Sequence, residues 1–192
     1  MTKESNGPTR EADYFVRHES GSDRIPLEAA LNAPRFPIYG ILDSLRSAHN
    51  VGSIFRTCDG ANAAHLAICG TYSPLPGHRH LAKTALGAVD VVPWTHFETV
   101  EAGISHARSQ GAQILGLELT PHSVPLTEIE LKFPVALVGG NELDGLSDET
   151  LRLCDATVHL PMFGHKNSLN VSVAFGIALY ETLRRYRLSL EE

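Results

Sequence analysis

From Phe36 onward, apolar and polar positions fall into a repeating order of short strands and amphipathic helices. Phe36 to Leu42 is a mostly apolar run of strand length. In the following segment Val51, Ile54, Phe55 and Cys58 stand at i, i+3, i+4 and i+7, which predicts a helix over Val51 to Ala61 with one stripe docked on a sheet. Further strands are predicted at Ala64 to Cys69, Val89 to Val92, Gln113 to Leu117, Val135 to Val138 and Val158 to Leu160. Helices are predicted at Leu81 to Leu86, Phe97 to Gln110 and Ser147 to Leu153. Short apolar strands alternating with helices mean an α/β fold, with about six strands in a mostly parallel sheet and helices on both faces. No internal repeat and no second domain is visible.

The last segment behaves differently. After the Val158 strand the chain breaks at Pro161, turns through Gly164 and restarts at Ser168 as a long helical pattern. Leu169, Val171, Val173, Phe175, Ile177, Leu179 and Tyr180 leave that helix no continuous polar face. Such a helix must be covered on nearly every side. A chain this short achieves that more easily if a second copy supplies part of the cover. Arg184, Arg185 and Arg187 close the pattern and favour the helix C-terminal dipole.

Ahead of Phe36 the chain is polar. The possible helices at Arg10 to His18 and Leu27 to Leu31 are too brief to be stable without docking. The expected division is therefore a flexible or loosely docked arm over residues 1–35 and one domain over residues 36–192. At 192 residues and 43% hydrophobic content, that domain can hold a sizeable core. A net charge of -6 argues against wholesale coating of nucleic acid but leaves room for a local basic face. Cys58, Cys69 and Cys154 lack any C-x-x-C spacing, so they read as buried small hydrophobes in a reducing compartment. With no bilayer-spanning run and no signal-peptide core, the expected location is the cytoplasm, with no membrane association.

In parallel sheets ligands lie beyond the carboxyl ends of the strands, and three turns there are unusual. In the first, Asn50 sits where an N-cap would, and Ser53 and Arg56 share a helix face outside the apolar stripe. A cap at Asn50 and a surface pair between Arg56 and Asp59 would explain the same residues. The second runs Gly139-Gly140-Asn141-Glu142 to Gly145-Leu146-Ser147. It fails as a P-loop because Leu146 stands where the lysine belongs, and it fails as a dinucleotide fingerprint at Asn141. The third joins Leu160-Pro161-Met162 to Ser168-Leu169-Asn170; a helix cap leading into an interface helix would account for it equally. Zinc at His78 and His80 lacks cysteine or carboxylate partners at ligand spacing, so no metal is expected.

Together and in order, these turns resemble the SpoU family of RNA ribose 2'-O-methyltransferases, within the SPOUT superfamily. Asn50, Gly52 and Arg56 match its first motif; Gly140, Glu142, Gly145, Leu146 and Ser147 match the second. Leu160-Pro161-Met162 and Ser168 through Ala174 match the third, and the resemblance covers roughly Ile38 to Glu181. It implies a C-terminal trefoil knot, a homodimer and S-adenosyl-L-methionine as cofactor. By position, Leu119, Gly140, Leu160, Ser168 and Leu169 would bind the cofactor. Arg56 would act at the reacting centre, with Asn50, Glu142, Ser168 and Asn170 holding it and the substrate in register. Many relatives carry an added RNA-recognition domain where this chain has its short arm, so the choice between tRNA and rRNA stays open.

The expected activity is thus methyl transfer to a ribose 2'-hydroxyl of tRNA or rRNA. The alternatives are a non-catalytic RNA-binding or ribosome-assembly protein that kept the fold, and a generic nucleotide-binding protein, against which the failed glycine motifs count. His78, Arg79, His80 and Lys83, with His165 and Lys166, are candidate RNA contacts, and ordinary surface would account for them equally well.

Overall fold

Central strands covered on both faces have no polar side, and all five residues of one strand, Val135–Gly139, are buried. The computed structural model describes residues 26–191. In chain order its elements are α1 (Leu27–Asn32), β1 (Phe36–Asp43), α2 (Ala48–Gly60), β2 (Ala63–Cys69), α3 (Arg79–Ala85) and β3 (Trp94–Phe97). There follow α4 (Val100–Ser109), β4 (Gln113–Leu117), β5 (Val124–Pro125), β6 (Val135–Gly139), α5 (Asp148–Leu153), β7 (Ala156–His159) and α6 (Val171–Ser189). The strands form one seven-stranded sheet in the order β3-β2-β1-β6-β4-β7-β5. Every pairing in it is parallel.

Alternation along the strands divides the interior into two cores. Ile38, Leu42, Leu66, Ile68, Val135 and Leu137 face α2 and α6, where they meet Val51, Ile54, Phe55, Phe175 and Leu179. Ile41, Ala67, Ile114, Ala136 and Val138 face the other side, against Ile104 and Ala107 of α4 and Leu151 of α5. The i, i+3, i+4, i+7 stripe of α2 is fully buried, as its spacing predicts.

Several boundaries differ from the sequence expectation, each for a local reason. The sheet has seven strands rather than about six, because Val124–Pro125 adds a two-residue edge beside β7. The strand expected at Val89 to Val92 is instead a 3-10 turn over Ala88–Asp90. The strand itself begins after Pro93, at Trp94, so the apolar Val92 enters the core without joining the ladder. Asn50 is not the cap of α2: the Ser47 hydroxyl accepts the Asn50 N–H at 3.3 Å, and the Asn50 side chain is left free for other work. The long helix starts at Val171 rather than Ser168, with Asn170 as its cap. Leu27–Asn32 does form a helix, following Pro26, but buries no side chain.

Arg10 to His18 lies outside the described residues. The end of the expected arm is tied down, since the Arg35 guanidinium donates to the carbonyls of Ala63 (3.2 Å) and Val91 (2.6 Å). Arg185 does more than serve a dipole: it donates to the carbonyls of Leu126 (2.9 Å) and Ile129 (2.6 Å), fixing the loop after β5 to α6. Among the described residues no helix is long and apolar enough to cross a membrane.

Candidate active site

The three unusual turns meet at the carboxyl ends of β1, β6 and β7. Glu142 is the hub. One of its oxygens accepts the Ser47 N–H (3.0 Å) and the Asn50 side-chain amide (2.9 Å), while the other accepts the Arg46 N–H (3.0 Å). Asn50 in turn accepts the side-chain amide of Asn170 at 3.2 Å, and Asn170 accepts the Ser172 N–H (2.9 Å) and hydroxyl (2.6 Å). Residues far apart in sequence, one from each motif, are thereby joined in a single hydrogen-bonded chain. Burial pushes the Glu142 carboxyl up, but the donors from Arg46, Asn50 and Ser47 outweigh it, so its pKa lies below the usual glutamate value.

Two close approaches explain why glycine stands in the first two motifs. A Cβ on Gly52 would collide with the Thr84 hydroxyl and lie 2.5 Å from the Leu81 carbonyl oxygen, so its absence lets α3 rest directly on α2. A Cβ on Gly140 would strike the backbone of Gly145, which itself has φ +69. Asn141 tightens this turn by accepting the N–H groups of Leu143 and Asp144, both at 2.9 Å.

Beside the network lies a cavity of about 360 Å³, within the range of small-molecule sites. Leu119, Gly140, Leu160, Ser168 and Leu169, the five positions expected to hold cofactor, all line it, as do Glu142 and Asn170. Its walls combine leucines and glycine backbone with the carboxylates of Glu118, Glu142 and Asp144, and no lysine or arginine. Apolar walls of this kind suit a flat heterocycle, and the carboxylates suit a cationic group. The residues present therefore fit S-adenosyl-L-methionine.

Arg56 is not part of that cavity. It is exposed on α2 and lines a neighbouring basin with Ser53, Thr57, Lys83, Thr84 and Tyr180. It forms no ion pair among the described residues, so the suggested surface pair with Asp59 is not seen. Sequence reasoning also missed Glu118, whose oxygens accept the N–H groups of Leu119 and Leu146, each at 3.0 Å, linking the end of β4 to the turn after β6. Only its place just beyond a strand pointed to it.

Of the expected RNA contacts, His78, His80 and Lys83 are near the first turn. The rings of His49 and His80 lie 5.3 Å apart, and those of His78 and His80 5.6 Å apart. Among the described residues no group of three or more His, Cys, Asp or Glu is arranged to hold a metal ion. Burial pushes the Cys58 and Cys69 thiols up to about 12 and Cys154 to about 11, which makes them inert near neutral pH.

Comparison with known proteins gives one consistent answer. Residues 37–180 match the SpoU rRNA Methylase family. A tRNA (guanosine(18)-2'-O)-methyltransferase of Escherichia coli (strain K12) is 33% identical over 146 residues, covering 75% of this chain. The chain spans 62% of the length of that relative. Among solved structures, the AdoMet bound rRNA methyltransferase from Sinorhizobium meliloti superposes with TM-score 0.71 at 32% identity, over 77% of this chain and 56% of that one. The TrmH/SpoU tRNA modifying enzyme of A. aeolicus gives TM-score 0.74 at 29% identity, over 85% and 82%.

Proposed function

The chain belongs to the SpoU rRNA methylase family, and from that premise we propose that it transfers a methyl group from S-adenosyl-L-methionine to a ribose 2'-hydroxyl of tRNA or rRNA. The observation that carries this reading is the hydrogen-bonded chain Glu142–Asn50–Asn170 at the mouth of a carboxylate-lined cavity. Leu119, Gly140, Leu160, Ser168 and Leu169, which line that cavity, would hold the cofactor, with Leu160 and Leu169 closing around its adenine. The bound cofactor supplies an electrophilic methyl on a positively charged sulfur.

The protein's own task is alignment and charge control. The methyl would pass to the 2'-oxygen as the sulfur leaves as a neutral thioether, and the hydroxyl proton would pass to solvent. Arg56 orients the ribose and stabilises developing negative charge on oxygen. Asn50, Glu142 and Asn170 keep the first-turn helix in register with the cavity, which Ser168 lines.

A second copy of the chain belongs to this reading. Leu169, Val173, Ile177 and Tyr180 follow one another at spacings of three or four and are each about half exposed (40%, 49%, 47% and 49%). Tyr180 also lines the Arg56 basin, so a copy packed along this stripe would reach the edge of the reacting centre. The trefoil knot is part of the same proposal, supported by the insertion of β7 between the earlier strands β4 and β5. His78, Arg79, His80, His165 and Lys166 are the proposed outer RNA contacts.

One experiment tests the reading. Labelled cofactor is incubated with RNA from cells lacking this protein, and the modified ribose is mapped. A single 2'-O-methylated nucleotide is the expected result. Cofactor binding with no incorporation into any cellular RNA would instead favour a binding or ribosome-assembly protein, the reading to which the separation of Arg56 from the cofactor cavity in one chain lends weight.

A further inference from the structure

We infer that Glu118, which stands in none of the three motifs, is a positioning residue for S-adenosyl-L-methionine: it sets the spacing of the chain segments between which the cofactor lies. The inference rests on the methyltransferase reading above and deepens it. Among the stretches that line the cavity are residues 117–119 at the end of β4, 139–145 at the end of β6 and 159–160 at the end of β7. Glu118 is tied to all three. Its backbone N–H donates to the Val158 carbonyl at 2.9 Å, which carries the parallel pairing of β4 and β7 one residue beyond Leu117. Its carboxylate then accepts the N–H of Leu119 on one oxygen and that of Leu146 on the other, each at 3.0 Å. One residue outside the motifs thus joins the three strand ends that the cofactor must touch.

The contact with the turn after β6 is close enough to dictate its sequence. A Cβ on Gly145 would collide with the Glu118 carboxylate, so glycine there, at φ +69, lets the carboxylate reach the turn backbone. Leu146, whose N–H it accepts, is buried in the core on the α4 and α5 side. An amide in such a place that loses its acceptor is costly, and the turn would open to find another. Gly140 would move with it, because Gly140 lies so close that a Cβ would stand 2.5 Å from the Leu146 nitrogen. The ribose side of the same turn is anchored separately, through the bonds of Glu142 to Arg46, Ser47 and Asn50. The influence of Glu118 therefore falls on the cofactor and not on the ribose.

The test measures, by isothermal titration, the affinity of the parent chain and of Glu118→Gln for S-adenosyl-L-methionine and for S-adenosyl-L-homocysteine, in which the sulfur carries no charge. Unfolding midpoints and methylation kinetics on RNA from cells lacking the protein are recorded alongside. Glutamine keeps the outline of the side chain but sets an NH2 group against one of the two N–H donors. Glu118→Gln should weaken both ligands by the same factor of about ten, the scale of one amide left unpaired. KM for the cofactor should rise with it, while kcat and KM for RNA change much less. Gly145→Ala should also weaken both ligands, and its added loss should be smaller in a Glu118→Ala background, where nothing is left for the methyl to strike. Parent-like affinities in Glu118→Gln with a lowered unfolding midpoint would mean that Glu118 supports only the fold, and would overturn the inference. So would a loss confined to S-adenosyl-L-methionine, the mark of a direct charge contact, or equal losses from Gly145→Ala in the two backgrounds. Each of these leaves the methyltransferase reading intact, and the affinities decide the matter even where no RNA is methylated. A parent that binds neither ligand removes both proposals.

Discussion

At the scale of single residues, charge does most of the work. Arg56 makes no ion pair among the described residues and sits outside the cofactor cavity, so its loss should spare cofactor binding. Arg56→Ala is expected to keep the cofactor affinity of the parent and to lose methylation by at least about a hundredfold, the scale of removing one donor from a developing oxyanion. Isothermal titration and a label-transfer assay check the two halves separately. Stability should vary with pH through two identifiable groups. Burial, with the neighbouring His106, lowers the His65 pKa from 6.5 to about 4. The unfolded chain therefore binds the extra proton first, and stability falls as pH drops through that interval. Glu142 acts in a lower window. Its folded pKa is depressed, so its contribution is complete above the ordinary glutamate value and disappears as pH falls through the folded one. Urea denaturation of His65→Gln across pH 7 to 4 should show a flatter profile than the parent, and Glu142→Gln should flatten only the more acidic limb.

At the scale of elements, the decisive contacts are those that permit close packing. Gly52→Ala forces α3 away from α2, because the added methyl meets the Thr84 hydroxyl and the Leu81 carbonyl. A cost of about 1–3 kcal/mol is expected for such overpacking, seen as a drop in Tm of about 2–4 °C per kcal/mol in a domain of this size. Methylation should fall further than stability alone explains, since Arg56 and Lys83 are displaced with the helices. These elements were unequally legible in the sequence. The α2 stripe was plain because helical spacing and a buried face coincide. β3 was misplaced because Val92 is buried by packing from a turn, whereas the ladder starts only beyond Pro93. β5 has two residues, too few for any period to show. The start of α6 was set three residues early because both Ser168 and Asn170 are good caps, and only the accepted Ser172 N–H distinguishes them. Of the site, the three motifs were readable through their likeness to a family. Glu118 and the basin were not, because one is an isolated carboxylate and the other arises only where three helices meet.

At the scale of the whole molecule, the sheet is closed on both faces but α6 is not. Val173 and Ile177 leave about half of each side chain in water, an arrangement that a second copy would relieve. Ile177→Asp should therefore convert a dimer to monomers in light scattering, and methylation should fall with it if both copies build the reacting centre. A parent chain that is monomeric at micromolar concentration would remove the paired arrangement. Asn50 matters on this scale too, because one side chain links segments near residues 50, 142 and 170. The linkage is directional: hydrogens point from Ser172 to Asn170, from Asn170 to Asn50, and from Asn50 to Glu142. An aspartate at position 50 has the same outline but no hydrogen to pass on, and it would set one negative charge against another. Shape alone cannot replace this relay, so the least visible change to the outline of the molecule is the one that would let its distant parts come apart.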